Sequence, residues 1–590
     1  MTSTAGKFII MILCFSVQSG VIYASGRGAP YFDDGSCVVR SVIPREGTIK
    51  VPMNSDISIV YTSNRLHACM DVTVHYGEDR IVPLRLLLHD EYRSISGDGF
   101  YGDITVRTLR NFTPNTKHTI FFGGRKISSF TTSESDIYNR GRIISILPLN
   151  IFIPHLSRTN HLSREQVSTA PTKISFGLHE SELPTDAKAW KAFVNIGNTI
   201  GEGIISKIHN LSRGNFSGSA LNLVMSLYFP HVLYPASLYG VSFYYVIYST
   251  IDPYGSPTHL SAIVIIPEGK NIDYSNIPIF SYQHATVLNG SAQTDTNTFE
   301  TIVGALISSR GYVVVSSDGF GFGLTKNETE PYLMQIIESQ EYYDLITAIR
   351  GYFRNRYHVE LRAGDSLMGI SQGAHTSMAM ARYMLAIDPG SVKYVYVADG
   401  PYNLEKMFFS YASMVIGNDS KKDRYLHYIR SNKFFLPVFM RKYLRSIAAY
   451  NDMSADAFDY GFYDIIGLPK RSFVKEIFEG KYRNIYTGMS VDTITNKLLS
   501  LREIAPKSSV EFHLYHEKSD PIVSYQNTVD LLHELKNKGF LSVYEGDCRK
   551  NVLFSKVVVS LVKSKDHPEW MHISCVPWLI EDIMKDIPPN

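Results

Sequence analysis

One short stretch, Gly369-Ile370-Ser371-Gln372-Gly373, constrains the fold of this 590-residue chain more than any other. It reads G-x-S-x-G, the pattern of a sharp turn that leads from a strand into a helix. The serine backbone is strained in such a turn, so its close neighbours must be nearly free of side chain, as Gly369 and Gly373 are. Residues 366–368 can form the strand, and residues 374–385, rich in Ala and Met, can form the helix. We therefore predict that Ser371 stands exposed at a strand end, with a helix N-terminus beside it.

A second serine signature overlaps the first. Gly364-Asp365-Ser366-Leu367 spells G-D-S-L, the label of a different esterase family, whose members also carry a late D-x-x-H such as Asp530 to His533. In that family the serine lies near the start of the catalytic domain. Here a long stretch of strand and helix patterns precedes the serine, so we prefer Ser371 to Ser366 as the nucleophile.

The first 24 residues have the pattern of a secretory signal peptide. An apolar run at residues 8–17 is followed by the small residues Ala24, Ser25 and Gly26, which predict cleavage near Ala24. The run is too short to span a membrane as a helix. We expect an exported protein that is secreted or located in the periplasm or cell envelope.

Composition narrows the classes of partner. The chain is long enough for more than one domain, and its net charge of +2 provides no field that would recruit nucleic acid. The sequence contains no C-x-x-C and no cluster of Cys and His that would indicate a metal site. We expect no metal, no cofactor, no nucleic acid and no obligate protein partner.

Four cysteines remain once Cys14 leaves with the signal peptide, and an even number favours disulfides in an exported protein. Four cysteines can pair in three ways. We prefer Cys37–Cys69 with Cys548–Cys575, because each bridge then stays inside one domain. The alternative for the second pair is two unpaired thiols, with Cys575 packed under the final helix.

Residues 38–133 predict a small all-β domain, because short runs of alternating apolar residues are separated by turn residues. The segment resembles a bacterial Ig-like domain in the order of Ser41-Val-Ile-Pro44, Val51-Pro-Met-Asn54, Phe112-Thr-Pro-Asn-Thr116 and Phe130-Thr-Thr132. The resemblance implies a β-sandwich that serves as a spacer or contact module, so the catalytic part should fold without it. Residues 134–236 predict a linker and a helical lead-in without readable chemistry.

From residue 237 to the end, strands and helices alternate, which predicts a doubly wound, mainly parallel sheet. Residues 403–505 interrupt this alternation with a helical pattern rich in Met, Phe and Tyr. The interruption predicts an insert with its own small core, or a cap whose apolar underside lines an acyl pocket. The two interpretations are compatible, since a cap must also pack.

Four segments give residues 237–585 a resemblance to the α/β-hydrolases, and within them to secretory lipases and related esterases. The segments are Tyr282-Gln-His-Ala-Thr286, Asp318-Gly-Phe-Gly-Phe-Gly323, the turn at Ser371, and Asp399-Gly-Pro-Tyr402. The resemblance implies an α/β-hydrolase fold with a helical cap insertion and a serine hydrolase without a cofactor. It also implies that the backbone N–H groups of Gln372 and Ala285 form an oxyanion hole, with Ala285 standing where these enzymes usually have Gly.

The same resemblance implies a catalytic triad of Ser371, Asp520 and His572. Asp520 follows the strand predicted at 510–515, where α/β-hydrolases carry the acid, and His572 comes just before the last helix, where they carry the base. Serine, aspartate and histidine also follow one another in the order that this fold uses. His567 is the rival candidate for the base.

These features together predict an exported serine hydrolase that cleaves carboxylic esters, with acyl or lipid esters favoured by the apolar cap. Two alternatives stay open: a serine peptidase of the prolyl-oligopeptidase type, and a binding or adhesion protein with an inactive hydrolase domain. The expected partner is a small-molecule or lipid ester, and the cap would make at most a transient contact with a lipid surface.

Overall fold

A computed structural model describes most of the chain between residues 37 and 586. The described residues are 37–65, 71–77, 80–93, 100–151, 159–167, 238–270, 272–287, 299–404, 406–407, 439, 442–443, 445–446, 449–450, 510–520, 522–537, 540, 542–546, 548, 572 and 574–586. Several predicted features lie outside the described residues: the signal peptide, Cys69, most of the lead-in at 134–236, most of the cap at 403–505, and His567.

The N-terminal part consists of two four-stranded antiparallel sheets. Their strands are β1 (Cys37–Ile43), β2 (Ile57–Ser63), β3 (Val72–Tyr76), β4 (Arg80–Ile81), β5 (Leu84–Arg93), β6 (Phe100–Thr108), β7 (Lys117–Phe122) and β8 (Arg125–Thr131). The strand orders are β1-β2-β6-β5 and β4-β3-β7-β8. The two sheets share one apolar core, in which the Tyr61 ring lies 5.1 Å from the Phe122 ring. Membership of the Ig-like family stays a prediction.

A ten-stranded mixed sheet forms the centre of the remaining chain. Its strands are β9 (Ile143–Pro148), β10 (His161–Leu162), β11 (Gly240–Ile251), β12 (Pro257–Glu268), β13 (Ile279–Gln283), β14 (Val313–Ser317), β15 (Asp365–Ile370), β16 (Val392–Ala398), β17 (Glu511–Tyr515) and β18 (Val543–Glu545). The order is β10-β11-β12-β14-β13-β15-β16-β17-β18, with β9 also paired to β11. Pairing is parallel from β14 to β18 and antiparallel elsewhere.

Five α-helices with assigned bounds accompany this sheet in the part of the chain that the structure describes. They are α1 (Phe299–Ser308), α2 (Gln335–Tyr357), α3 (Gln372–Ile387), α4 (Gln526–Asn537) and α5 (Val576–Asp586), and short 3₁₀ turns lie at Asp136–Tyr138, Tyr274–Asn276 and Gly323–Thr325. Helices α2, α3 and α4 pack in the apolar core of one face of the sheet, and α1 and α5 in that of the other. The predicted mixed α/β fold is therefore confirmed. No described helix is long and apolar enough to cross a membrane.

Local sequence explains two regions of this sheet, the hairpin of β11 and β12 and the buried central strands. Strands β11 and β12 form a hairpin in continuous register, and the carboxylate of Asp252 closes its turn by accepting the N–H groups of Tyr254 and Ser256, each at 2.8 Å. Every residue of β13, β14 and β15 is buried, as expected for parallel strands covered by helices on both faces. The order of β13 and β14 is reversed relative to the chain, and open α/β sheets bind ligands beyond the carboxyl ends of strands at such a reversal.

Buried charges join the N-terminal sheets to helix α3. Arg382, in the third turn of this helix, forms ion pairs with Asp90 on β5 and, at 2.9 Å, with Asp103 on β6. The next residue, Tyr383, bonds to the Asp56 carboxylate and accepts a hydrogen bond of 2.8 Å from Arg107. All of these acidic side chains are almost completely buried. The helix that follows the G-x-S-x-G turn therefore depends on the N-terminal sheets for its counter-ions.

A second set of contacts extends this interface to helix α2. Arg140 donates to Asp344 on α2 at 2.8 Å and lies 3.7 Å from Asp56. Burial would raise the pKa of Asp56, but Arg107 and Arg140 lower it below its ordinary value. Leu87 and Leu88 of β5 add an apolar patch against Tyr383. Removing either part would leave buried charges of the other part without their partners. That the second part folds without the N-terminal sheets stays a prediction.

We predict that Arg382→Met destabilises the whole chain far more than Arg354→Met. Arg382 is buried between two carboxylates, whereas Arg354 pairs with Glu360 on the surface. Removing one partner of a buried pair typically costs about 3–5 kcal/mol, and exposed pairs contribute little. Urea unfolding should show the difference in the free energy of unfolding. The account of the interface fails if both variants unfold like the wild type, or if a chain beginning near Ala170 unfolds at the wild-type midpoint.

Candidate functional site

The predicted turn lies between β15 and α3. Ser371 has φ 56° and ψ −118°, a sparsely populated conformation for a residue with a side chain. Its N–H donates to Ala398 O at the end of β16 (2.9 Å), and its carbonyl accepts the N–H of Ala374 at 3.0 Å. Ser371 as a whole residue is only 7% exposed, and the exposure of its hydroxyl stays a prediction. A strained serine held between a strand end and a helix N-terminus is the arrangement that the sequence predicts.

The two glycines of the turn are required by close backbone contacts. A Cβ on Gly369 would lie 1.9 Å from the carbonyl oxygen of Gly373. A Cβ on Gly373 would lie 2.0 Å from Gln283 O and 2.9 Å from His284 O. The start of α3 is therefore pressed against the loop that follows β13. No other residue type fits at either position without moving the backbone.

This close contact brings Gln372 and Ala285, the two predicted oxyanion donors, to the same edge of the sheet. Gln372 is the first residue of α3, where backbone N–H groups have no partner within the helix. Ala285 does not have a positive φ, so its Cβ is tolerated at this position. His284 contacts Ala285 O at 2.8 Å and Asp318 O at 3.1 Å, as expected of a loop-bonding histidine. The roles of Gln372 and Ala285 as donors stay predictions.

Asp520 and His572 meet although 52 residues separate them. His572 Nδ1 lies 2.7 Å from Asp520 Oδ2, and His572 Nε2 is buried with no hydrogen-bond partner among the described residues. The other oxygen of Asp520 accepts the N–H groups of Ile522 (2.8 Å) and Val523 (3.2 Å). The carboxylate is therefore fixed from one side and orients the imidazole on the other, leaving Nε2 available for a proton.

Two residues that the sequence did not identify as functional complete the surroundings of Asp520. His516, expected only to pack or bond within its loop, places Nε2 at 3.1 Å from Asp520 Oδ2 and 3.0 Å from Val523 O, while its Nδ1 lies 2.7 Å from Thr528. Both of its ring nitrogens are thus occupied, so His516 is not a rival base. Only its position after the predicted strand 510–515 could have signalled this contact.

Asp399 is the second residue that sequence reasoning missed. It follows β16 with φ 55°, accepts the N–H of Glu517 at 3.1 Å, and has one buried oxygen without a hydrogen-bond partner in the described structure. Burial and then repulsion from Asp520 raise the pKa of Asp399 well above its usual value. Asp520 is shifted the other way: burial would raise its pKa, but His572 and His516 lower it overall. The pKa values of the two neighbouring carboxyls are therefore shifted in opposite directions.

Asp399, His516 and Asp520 are also close enough for metal coordination, since their ligand atoms all lie within 4.8 Å of one another. Asp520 is already bonded to two histidines, and His516 faces a backbone carbonyl. Because these contacts use the ligand atoms of Asp520 and His516, the hydrogen-bonded network is the better description of those two residues.

The rival candidates are not brought together. Ser366 is 1% exposed at the second position of β15, where it pairs with Tyr394 on one side and Phe280 on the other. Asp530 forms an ion pair with Lys406, and His533 lies exposed and bonds to Asn537. These residues of the overlapping G-D-S-L and D-x-x-H patterns make no common site.

One predicted disulfide is confirmed and lies beside the site. Cys548 and Cys575 are joined across a sequence separation of 27 residues, and Cys575 is fully buried under α5. Trp578 Nε1 donates to Cys548 O at 2.5 Å. The bridge attaches the segment that carries His572 to the sheet edge at β18. Cys37 is also disulfide-bonded, and its predicted partner Cys69 lies outside the described residues.

Comparison with known proteins gives remote structural similarity only. No family model matches the chain, and no curated protein matches it. The rice cell wall degrading esterase LipA from Xanthomonas oryzae is 20% identical over 59% of this chain and 92% of its own, with a TM-score of 0.40. Lipase A from Candida antarctica is 15% identical over 52% of this chain and 71% of its own, with a TM-score of 0.32. The solved structures that this chain resembles thus include an esterase and a lipase.

We predict opposite outcomes for Asp520→Asn and Asp399→Asn. An amide at 520 would present the wrong partner to His572 Nδ1–H. It should lower the kcat of the predicted ester hydrolysis by about 10⁴-fold. An amide at 399 mimics the protonated acid and should leave kcat nearly unchanged. Because the native state holds the Asp399 proton more tightly than the unfolded chain, the contribution of this group to wild-type stability should fall as pH rises above about 4. Asp399→Asn should remove that contribution, which stability measurements between pH 4 and 8 would detect.

Equal losses of kcat in the two variants would contradict this assignment. So would an Asp399→Asn variant whose free energy of unfolding falls with pH as steeply as that of the wild type.

Proposed function

We propose that the chain is an exported serine hydrolase that cleaves carboxylic esters of the acyl or lipid class. The observation that carries the proposal is the 2.7 Å contact between His572 Nδ1 and Asp520 Oδ2, which leaves a buried Nε2 without a partner among the described residues. A second support is the strained backbone of Ser371 at a helix N-terminus. Export rests on the signal-peptide pattern at 1–24, and the acyl preference on the apolar pattern of 403–505.

In the first half of the proposed reaction, Ser371 Oγ attacks the ester carbonyl while His572 Nε2 takes the hydroxyl proton. The N–H groups of Gln372 and Ala285 stabilise the oxyanion of the tetrahedral intermediate. His572 then gives the proton to the leaving alcohol as the C–O bond breaks, and the acyl group remains on Ser371.

In the second half, a water molecule takes the place of the alcohol. His572 Nε2 accepts its proton, the resulting hydroxide attacks the acyl carbon, and the proton returns to Ser371 as the carboxylic acid leaves. Asp520 holds the Nδ1–H tautomer throughout and stabilises the imidazolium. Each oxyanion donor of this kind is typically worth about 3 kcal/mol of barrier.

The test is a pair of serine variants assayed on two classes of substrate. Ser371→Ala should lower kcat on p-nitrophenyl esters by about 10⁶-fold, as loss of a nucleophile does in comparable triads. Ser366→Ala is the matched control, because it removes a buried hydroxyl from the strand that leads into the turn at Ser371 and should retain activity. A series of esters with rising acyl length, run beside peptide amides, reports the substrate class.

Activity that survives Ser371→Ala but not Ser366→Ala would overturn the assignment of the nucleophile. Faster cleavage of peptide amides than of esters would favour a peptidase of the prolyl-oligopeptidase type. A folded wild type that cleaves neither class would favour a binding protein with an inactive hydrolase domain.

A further inference from the structure

Lys442 lies in the segment predicted to form the cap, in a stretch where the neighbouring described residues are helical. Its side chain is 19% exposed and its ammonium group has two oxygen partners. It donates to Val287 O at 2.6 Å and forms an ion pair of 2.5 Å with Glu330 Oε2. The ammonium also lies over two aromatic rings, 5.2 Å from the centre of Phe322 and 5.0 Å from that of Tyr332. The two oxygens and the two rings together favour a positive charge at this position.

Glu330 connects Lys442 to the turn at Ser371. Its second oxygen, Oε1, accepts a hydrogen bond of 2.7 Å from Gln372 Nε2. The same amide nitrogen lies 3.3 Å from Oε1 of the buried Glu338 on α2. Gln372 follows the nucleophile directly, and its backbone N–H is the first proposed oxyanion donor. Its side chain is thus fixed by two carboxylates, one of which Lys442 neutralises.

Val287 connects Lys442 to the other side of the proposed oxyanion hole. It lies two residues after Ala285, the second proposed donor, in the loop that follows β13. Thr286, between them, bonds to the hydroxyl of Tyr332 at 2.8 Å, and Tyr332 is one of the two rings beneath the ammonium. One lysine side chain therefore contacts the loop of one donor and, through Glu330, the residue that carries the other.

The ion pair is sensitive to loss of its cation. Burial raises the pKa of Glu330, and the charge of Lys442 opposes that shift. Without Lys442, the pKa of Glu330 would rise further. Any loss of charge on Glu330 would weaken its hold on Gln372 Nε2, because charge-assisted hydrogen bonds are stronger than neutral ones. Val287 O would lose its donor at the same time. Both loops would then be free to move by fractions of an ångström.

We propose that Lys442 is a positioning residue that sets the distance between the two oxyanion donors, Gln372 and Ala285. The inference rests on the proposed function, since it concerns the same oxyanion hole. It assigns the segment around Lys442 a part in transition-state stabilisation, beyond the predicted role of this segment as a cap. Lys442 itself does not touch the substrate. It acts through Glu330 on one side of the hole and through Val287 on the other.

The test uses Lys442→Met, which keeps the length of the side chain and removes its charge. A misplacement of about 1 Å in a catalytic group can lower the rate by about 100-fold, so kcat on a short p-nitrophenyl ester should fall about 10- to 100-fold. KM should change by less than about threefold, because the ground-state ester does not require the aligned donors. The affinity for an alkylboronic acid, which forms a tetrahedral anion on Ser371, should fall by the same factor as kcat. Lys442→Arg should restore part of both.

Lys406→Met is the matched control, since Lys406 lies in the same predicted insertion and forms a surface ion pair with Asp530. It should leave kcat and boronate affinity unchanged. Glu330→Gln tests the same link from its other end and should lower both quantities, which keeps the proposal testable if Lys442→Met does not fold. All rates are expressed per active site titrated with a fluorophosphonate.

Three outcomes are decisive. If Lys442→Met or Glu330→Gln lowers thermal stability but leaves kcat per titrated site and boronate affinity unchanged, the role is structural and the inference is wrong. If Lys406→Met has the same effect as Lys442→Met, the effect is not specific to this site and the inference is also wrong. If the folded wild type neither hydrolyses esters nor binds the boronate, the proposed function fails, and the inference fails with it.

Discussion

The strained backbone of Ser371 is the constraint on which the rest of the structure depends. A non-glycine residue at φ 56° and ψ −118° is costly by about 1–3 kcal/mol and persists only where its surroundings enforce it. Here the enforcement is steric: the backbone at Gly369 lies against the carbonyl of Gly373, and the backbone at Gly373 lies against the loop after β13. The same contacts that hold the turn also bring the Ala285 loop to the helix N-terminus. The strain at Ser371, the position of the Ala285 loop and the geometry of the two proposed oxyanion donors therefore depend on the same backbone contacts.

Helix α3, which continues from this turn, is supported by charges that come from distant parts of the chain. At its first residue, Gln372 bonds to Glu330 and Glu338. In its third turn, Arg382 pairs with Asp90 and Asp103 of the N-terminal sheets. Buried charges contribute little net stability compared with apolar packing, but they tolerate only one arrangement of their partners. We infer that they fix the position of the helix relative to the sheet edge where the site is assembled.

The sequence predicted those features that depend on local pattern. The turn at 369–373, the hairpin of β11 and β12, and the alternation of buried strands with helices follow from glycine positions and apolar periodicity, so they could be predicted without coordinates. The Cys548–Cys575 bridge was predicted because the cysteine count is even and because this pairing keeps each bridge inside one domain. The resemblance to α/β-hydrolases implied the pair Asp520 and His572, and the structure places His572 Nδ1 at 2.7 Å from Asp520 Oδ2.

Long-range partners were not predictable, because nothing local marks them. Asp399 reads as a residue of a loop after a strand, His516 as a loop histidine, and Lys442 as one cation among many in a helical pattern. Their significance comes from tertiary contacts with residues far away in the chain, such as Lys442 with Glu330. The attachment of the N-terminal sheets to α3 was missed for the same reason. Asp90 and Asp103 lie on ordinary strands, and Arg382, which pairs with both, comes from a helix far along the chain.

The most direct test of the central claim is to locate the covalent adduct of a fluorophosphonate by peptide mass spectrometry. A serine activated by His572 and Asp520 should be phosphonylated stoichiometrically, and the account predicts the modification on Ser371 alone. Prior replacement of His572 by alanine should prevent labelling. Modification of Ser366 or of another serine would contradict the account, as would a folded wild-type protein that remains unlabelled.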